Sequence, residues 1–305
     1  MKRRIIAALA AAALACTVGA GVSPAAADEM DGAAYVAIGD SVAAGNGLMP
    51  YYDSTCLRSK KAYPTLLAQM LGGSVESAAC SGADTGAVAA QAVNLGVHGI
   101  LGEDTQLVTI SAGVNDLPWL DAVGACSNLG SLPACSFVLS NVGSAGVGVG
   151  QGIVSAIMAV RTYAPTATIR VTGYPKLFGN FSGTCSVGAV AAGTPMNFSQ
   201  PQGGMLNVAV DGLHVPGLEE VAGLNDAVEG GVAAYKAGFL AMYGWEDSVE
   251  YVDVVDAFAG HGLCDSGERW ISGLISGKPA DRGFHPNAAG HVAYAHTIAG
   301  TLVAP

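Results

Sequence analysis

The chain has 305 residues, 51% hydrophobic and only 12% charged, which is long enough for one sizeable α/β domain with a deep core. Its formal net charge of −11 describes a surface that repels polyanions, so nucleic acid and anionic membranes are excluded as natural partners.

The N-terminus reads as a removable export signal. Lys2-Arg3-Arg4 is a positive n-region, Ile5 to Cys16 an apolar h-region, and Ala25-Ala26-Ala27 a small-residue cleavage site ahead of Asp28. An uncleaved anchor is the competing reading, because no charge occurs from Ile5 to Ala27; Pro24 and the alanine triplet favour removal. The expectation is a secreted protein with residues 1–27 cleaved and residues 28–305 forming a single domain. Ten basic against 24 acidic residues then leave a net charge of −14. Arg3-Arg4 is compatible with twin-arginine export but is weak evidence for it. Cleavage removes Cys16 and leaves an even set: Cys56, Cys80, Cys126, Cys135, Cys185 and Cys264. Such a set in an exported chain indicates disulfides, and order alone does not fix the pairing. With no Cys-x-x-Cys and no histidine pair at ligand spacing, zinc is disfavoured and no metal is expected.

In chain order, five apolar β-rich runs follow: Ala33–Ile38, Ser74–Ala79, Gln106–Ser111, Thr168–Thr172 and Val249–Val255. Helical segments alternate with them: Pro64–Leu71, Thr85–Leu95, Ile153–Tyr163, Val221–Tyr243 and Asn287–Val303. This alternation predicts right-handed βαβ units, a parallel sheet and a three-layer α/β/α sandwich. Leu117–Gly150 and Lys176–Gly217 break the rhythm and read as long loops after strand ends, each carrying cysteine and able to wall a site. The Gly-rich tract 143–152 fails the G-x-G-x-x-G spacing, and no coiled coil, repeat or membrane-spanning pattern follows residue 28.

The chemistry gathers at strand ends. Gly39-Asp40-Ser41-Val42 closes the first strand, where open α/β sheets place ligands. A serine hydroxyl needs a base and oxyanion donors to act as a nucleophile. His285, in Phe284-His285-Pro286-Asn287 at the start of the last helix, is the candidate base; His98, His214, His261, His291 and His296 lack that setting. Gly82, in the turn after the second strand, lets an N–H approach a ligand closely. Asn115, after the third strand, offers a neutral amide donor. With the Ser41 N–H they make three donors; Asp40 and Asp116 are expected to order local backbone.

These four blocks, Gly39-Asp40-Ser41, Gly82, Gly113-x-Asn115-Asp116 and Phe284-His285-Pro286-Asn287, resemble those of the SGNH (GDSL-type) hydrolase superfamily, in particular the secreted esterases and lipases of actinomycete bacteria. The resemblance implies a flavodoxin-like five-stranded parallel sheet of order 2-1-3-4-5. It implies Ser41 as nucleophile, His285 as base, and Ser41, Gly82 and Asn115 as the oxyanion hole, with no cofactor. It also implies disulfides paired in sequence order, Cys56–Cys80, Cys126–Cys135 and Cys185–Cys264. Position 282, where relatives often carry an aspartate, is Arg282, so a backbone carbonyl is expected to orient His285, with Asp281 as the secondary candidate for a third triad member. Position 43 is alanine, so the G-x-S-x-G elbow of the larger α/β-hydrolases is absent. The expected activity is carboxylesterase or lipase, by a monomer acting on a small-molecule or lipid ester with at most transient lipid contact. A phospholipase or carbohydrate acetylesterase is the alternative, and a silent secreted binding protein the more distant one. Trp119, Leu120, Phe178 and Phe181 are candidates for an acyl groove.

Overall fold

The computed structural model describes residues 34–190, 193–214, 216, 220–244, 247–274 and 283–302; the expected export signal at residues 1–27 lies outside them. The central sheet has five parallel strands, in the spatial order β4 (Val75–Ser77), β1 (Tyr35–Gly39), β5 (Leu107–Ser111), β6 (Thr168–Thr172) and β9 (Val249–Val252). Taken by rank along the chain this is 2-1-3-4-5, as the family resemblance implies.

β1 and β5 are buried at every residue, the pattern of a central parallel strand covered on both faces. Tyr35 pairs with Val75 on one side and Leu107 on the other, so β1 sits where the winding direction reverses. Between β1 and β5 the buried Tyr35 hydroxyl is paired, meeting Thr109 Oγ1 at 2.9 Å. Helices α2 (Tyr63–Met70) and α8 (Ala288–Gly300) pack together as one layer. The opposite layer is α3 (Thr85–Val97), α5 (Leu132–Tyr163) and α7 (Leu224–Tyr243), with α5 in the middle.

Two expectations need correction. Leu117–Gly150 is not a loop: it holds α4 (Trp119–Ala125) and the first half of the 32-residue α5. Of the glycines that suggest a break, Gly150 and Gly152 are close-packing points. A Cβ on Gly231 of α7 would lie 2.7 Å from the Gly150 carbonyl oxygen, and one on Gly152 would run into Thr85 of α3. The small residues let three helices approach. Nor is Lys176–Gly217 plain loop: it forms the antiparallel hairpin β7 (Thr184–Ala189) and β8 (Pro195–Ser199) and then α6 (Gln200–Asp211). Ser199 and Gln202 form a capping box at the start of α6, a start signal that the sequence carries and that composition alone hides.

The disulfides are Cys56–Cys80, Cys126–Cys135 and Cys185–Cys264. The first ties the small hairpin β2 (Tyr51–Asp53) and β3 (Arg58–Ser59) to the turn after β4. The second joins the end of α4 to the first turn of α5, and the third joins β7 to the segment after β9.

Candidate active site

Ser41 begins the four-residue helix α1 (Ser41–Ala44), directly after β1. Its neighbour Asp40 caps that helix, Oδ1 accepting the Val42 N–H at 2.9 Å. Asp40 is fully buried. Its N–H donates to the Ser111 carbonyl at 2.9 Å, Ser111 Oγ donates to Oδ1 at 3.2 Å, and the Tyr174 hydroxyl donates to Oδ2 at 2.5 Å. Burial pushes the carboxyl up to about 6, although the side-chain donors pull it down. Gly39 is held from the side by Gln91, whose amide accepts the Gly39 N–H at 2.8 Å and donates to its carbonyl at 2.9 Å. The Gly39-Asp40-Ser41 block is therefore fixed at both main chain and side chain.

His285 reaches this point from the approach to α8. Its Nε2 lies 2.8 Å from Ser41 Oγ and its Nδ1 3.0 Å from the carbonyl oxygen of Gly283. A carbonyl only accepts, so Nδ1 carries the proton and Nε2 is left to accept from the serine hydroxyl. Asp281 and Arg282 lie outside the described residues. Asn287 caps α8, its Oδ1 accepting the N–H groups of Ala289 and Gly290, while its Nδ2 donates to the Arg269 carbonyl. The backbone around the imidazole is anchored at its C-terminal side.

The two other blocks converge on the same place. Gly82 occupies the turn between β4 and α3, with neighbouring N–H groups of Ser81 and Ala83 bonded to the Cys56 and Cys80 carbonyls. Asn115 lies in the 3₁₀ turn Val114–Asp116 after β5, and its amide donates one hydrogen to the Ala83 carbonyl at 2.9 Å. Asp116 then accepts from both the N–H and the hydroxyl of Thr85, at 3.0 and 2.7 Å, locking the start of α3. Asp40 and Asp116 are thus both backbone-ordering groups.

Ser41, Gly82, Asn115 and His285 open onto one cavity of about 670 Å³. Its walls are mostly apolar: Leu117, Trp119, Leu120 and Val123 from α4 and the turn before it, with Leu177, Met196, Val210, Leu224 and Leu274 opposite. Of the four apolar candidates, Trp119 and Leu120 line this space; Phe178 is instead buried against Phe181 and Phe198. Among the other histidines, His291 is fully buried in α8, accepts the Tyr63 N–H at Nδ1, and is pushed down to about 3 by burial, which is a packing role. Sequence reasoning misses Tyr174, a buried cavity-lining residue two positions beyond β6. The strand-end rule that singles out Ser41, Gly82 and Asn115 points to it equally.

The chain matches the GDSL-like Lipase/Acylhydrolase family over residues 37–293. A lipase of Streptomyces rimosus is 30% identical over 263 residues, covering 84% of this chain and 81% of the relative. Lipase 1 of Streptomyces coelicolor is 32% identical over 273 residues, covering 88% and 84%. Among solved structures, the extracellular lipase of Streptomyces rimosus aligns with a TM-score of 0.62 at 29% identity, over 89% of this chain and 99% of that one. Phospholipase A1 of Streptomyces albidoflavus aligns with a TM-score of 0.63 at 28% identity, over 88% and 98%.

Proposed function

The chain belongs to the GDSL-like lipase/acylhydrolase family and is a carboxylic ester hydrolase; from that premise we propose that it is a secreted esterase or lipase cleaving acyl esters through an acyl-enzyme on Ser41. The observation that carries this reading is the 2.8 Å approach of His285 Nε2 to Ser41 Oγ at the floor of an apolar cavity. His285 takes the serine proton as Oγ attacks the ester carbonyl. The tetrahedral oxyanion is received by the N–H groups of Ser41 and Gly82 and the Asn115 amide, neutral donors held in place before the charge develops. His285 then protonates the departing alcohol, and water cleaves the acyl-enzyme by the same steps in reverse. Gly283 O keeps the imidazole in the required tautomer, the part a carboxylate plays in a full triad.

The cavity favours an acyl chain longer than acetyl, because mostly apolar side chains wall a volume far larger than two carbons fill. That argues against the acetylesterase alternative. A phospholipid ester is the second reading, supported by the likeness to a phospholipase A1. A fluorophosphonate adduct mapped to Ser41, with loss of ester hydrolysis in Ser41→Ala, is the expected result; an adduct elsewhere, or full activity in that variant, defeats the scheme. Rates over esters of rising chain length, with phosphatidylcholine and an acetylated sugar alongside, then choose among the substrate readings.

A further inference from the structure

Three of the strand ends carry groups assigned to the reaction, and a fourth carries Tyr174. Its hydroxyl donates to Asp40 Oδ2 at 2.5 Å and accepts the Val114 N–H in a longer bond of 3.4 Å. Asp40 immediately precedes Ser41, and Val114 immediately precedes Asn115. One buried hydroxyl therefore spans the block that holds the serine and the block that holds the amide donor. The tyrosine is itself held from behind. Its N–H donates to Asn225 Oδ1 at 2.8 Å and its carbonyl accepts from Asn225 Nδ2 at 2.9 Å, a two-point clamp from the first turn of α7. The preceding Gly173 carbonyl accepts the Tyr294 hydroxyl of α8 at 2.9 Å. Both helical layers thus fix the end of β6, and β6 fixes the hydroxyl.

We propose that Tyr174 is a positioning residue that sets the spacing between Ser41 and the Asn115 amide, so that the oxyanion donors converge on one point. The proposal rests on the hydrolytic reading above and adds to it a residue that does not touch the reacting atoms. Asn115 already bonds Ala83, and Asp116 bonds Thr85, so the second and third strand ends are joined directly. Ser111 joins the first and third at the level of the sheet. Beyond the sheet edge, where the donors sit, the tyrosine hydroxyl is the bridge between Asp40 and Val114. Oxyanion stabilisation depends steeply on donor placement, a displacement near 1 Å being worth about a hundredfold in rate. Substrate held mainly by apolar walls is indifferent to that spacing.

The test is a double-mutant cycle on a soluble short-chain ester. Tyr174→Phe is expected to lower kcat about tenfold or more with KM unchanged, and the affinity for an alkylboronic acid, which mimics the tetrahedral adduct, is expected to fall by the same factor. In an Asn115→Ala background the same substitution is expected to cost less than about twofold, since the donor it positions is gone. A loss confined to KM, a full loss repeated in the Asn115→Ala background, or no loss at all overturns the proposal. If Tyr174→Phe does not fold, Asn225→Ala, which releases the clamp behind the tyrosine, takes its place in the cycle, and the same outcomes support or overturn the positioning role. Ser41→Ala separates the two levels. Inactive Ser41→Ala beside an additive cycle sinks the positioning role alone, while active Ser41→Ala sinks the nucleophile assignment and this proposal with it.

Discussion

His285 Nδ1 lies 3.0 Å from the carbonyl oxygen of Gly283, two residues earlier in the same turn, so the main chain supplies an acceptor for the imidazole. A carbonyl supplies direction without a full charge. His285→Ala and Ser41→Ala are each expected to cut kcat by about four orders of magnitude or more. Asp281→Asn is expected to cost less than about tenfold, because the acceptor for Nδ1 is already in place. Steady-state kinetics on one ester, with all three variants at matched thermal stability, checks this; an Asp281→Asn loss as deep as that of His285→Ala would establish a side-chain triad.

Two glycines in the site separate folding from function. At Gly39 (φ +153°) an added Cβ would lie 2.6 Å from the Ser111 carbonyl oxygen and 2.9 Å from the Ala43 Cβ, within the sheet itself. Gly39→Ala is expected to destabilise the protein by about 3 kcal/mol or more, in the range of overpacked cores and strained backbone together. At Gly82 (φ +84°) an added Cβ meets nothing within 4 Å. Gly82→Ala is expected to cost only the left-handed backbone penalty of about 1–2 kcal/mol, yet to lower kcat because the methyl borders the oxyanion site. Urea unfolding and kinetics on the two variants should fall in opposite order.

Burial of Asp40 makes stability depend on pH. Its folded-state value of about 6 exceeds the ordinary 3.8, so the folded protein holds the proton more tightly than the unfolded chain does. The resulting stabilisation is complete below pH 3.8 and is lost as pH rises through about 6. Asp40→Asn removes this dependence. Relative to wild type, the variant is expected to gain up to about 3 kcal/mol between about pH 4 and pH 7, whatever constant penalty its altered hydrogen bonds impose. Denaturant unfolding at a series of pH values reads the difference directly, and a flat difference would refute burial as the cause.

The three disulfides close loops of unequal length. Cys185–Cys264 spans 79 residues and Cys126–Cys135 only 9. If the bridges act by restricting the unfolded chain, replacing Cys185 and Cys264 together by alanine is expected to cost about 4–5 kcal/mol, and replacing Cys126 and Cys135 about 2–3 kcal/mol. Equal losses in calorimetry would place the effect in native packing.

The sheet and the four site blocks are legible in the sequence because each depends on local pattern: short uncharged β-rich runs, then a serine, a glycine, an asparagine or a histidine at the boundary. Thr168–Thr172 is legible to the residue, and the other strands within a few positions. What escapes is set by partners distant in the chain. The first half of α5 reads as a loop ending in a Gly/Val-rich tract until α7 and α3 are seen to pack closely at Gly150 and Gly152. Tyr174 looks like an ordinary residue before a proline, and its meaning lies in Asp40, 134 positions away, and Asn225, 51 positions away. The cavity walls likewise assemble from α4, the β8 strand, α6 and the segment around Leu274, which no single window of sequence contains.

The α4–α5 junction ties the substrate wall to the redox state of the surroundings. α4 has seven residues, too few to persist alone in water, and its far end is stapled to α5 by Cys126–Cys135. It contributes Trp119, Leu120 and Val123 to the wall, but none of the groups at the strand ends. Reduction of that bridge would leave the strand-end groups in place and slacken the wall to which the proposed function assigns the acyl chain. On the proposed reading, the shape of the cavity wall, more than the geometry at the strand ends, is then the property that an oxidising environment protects.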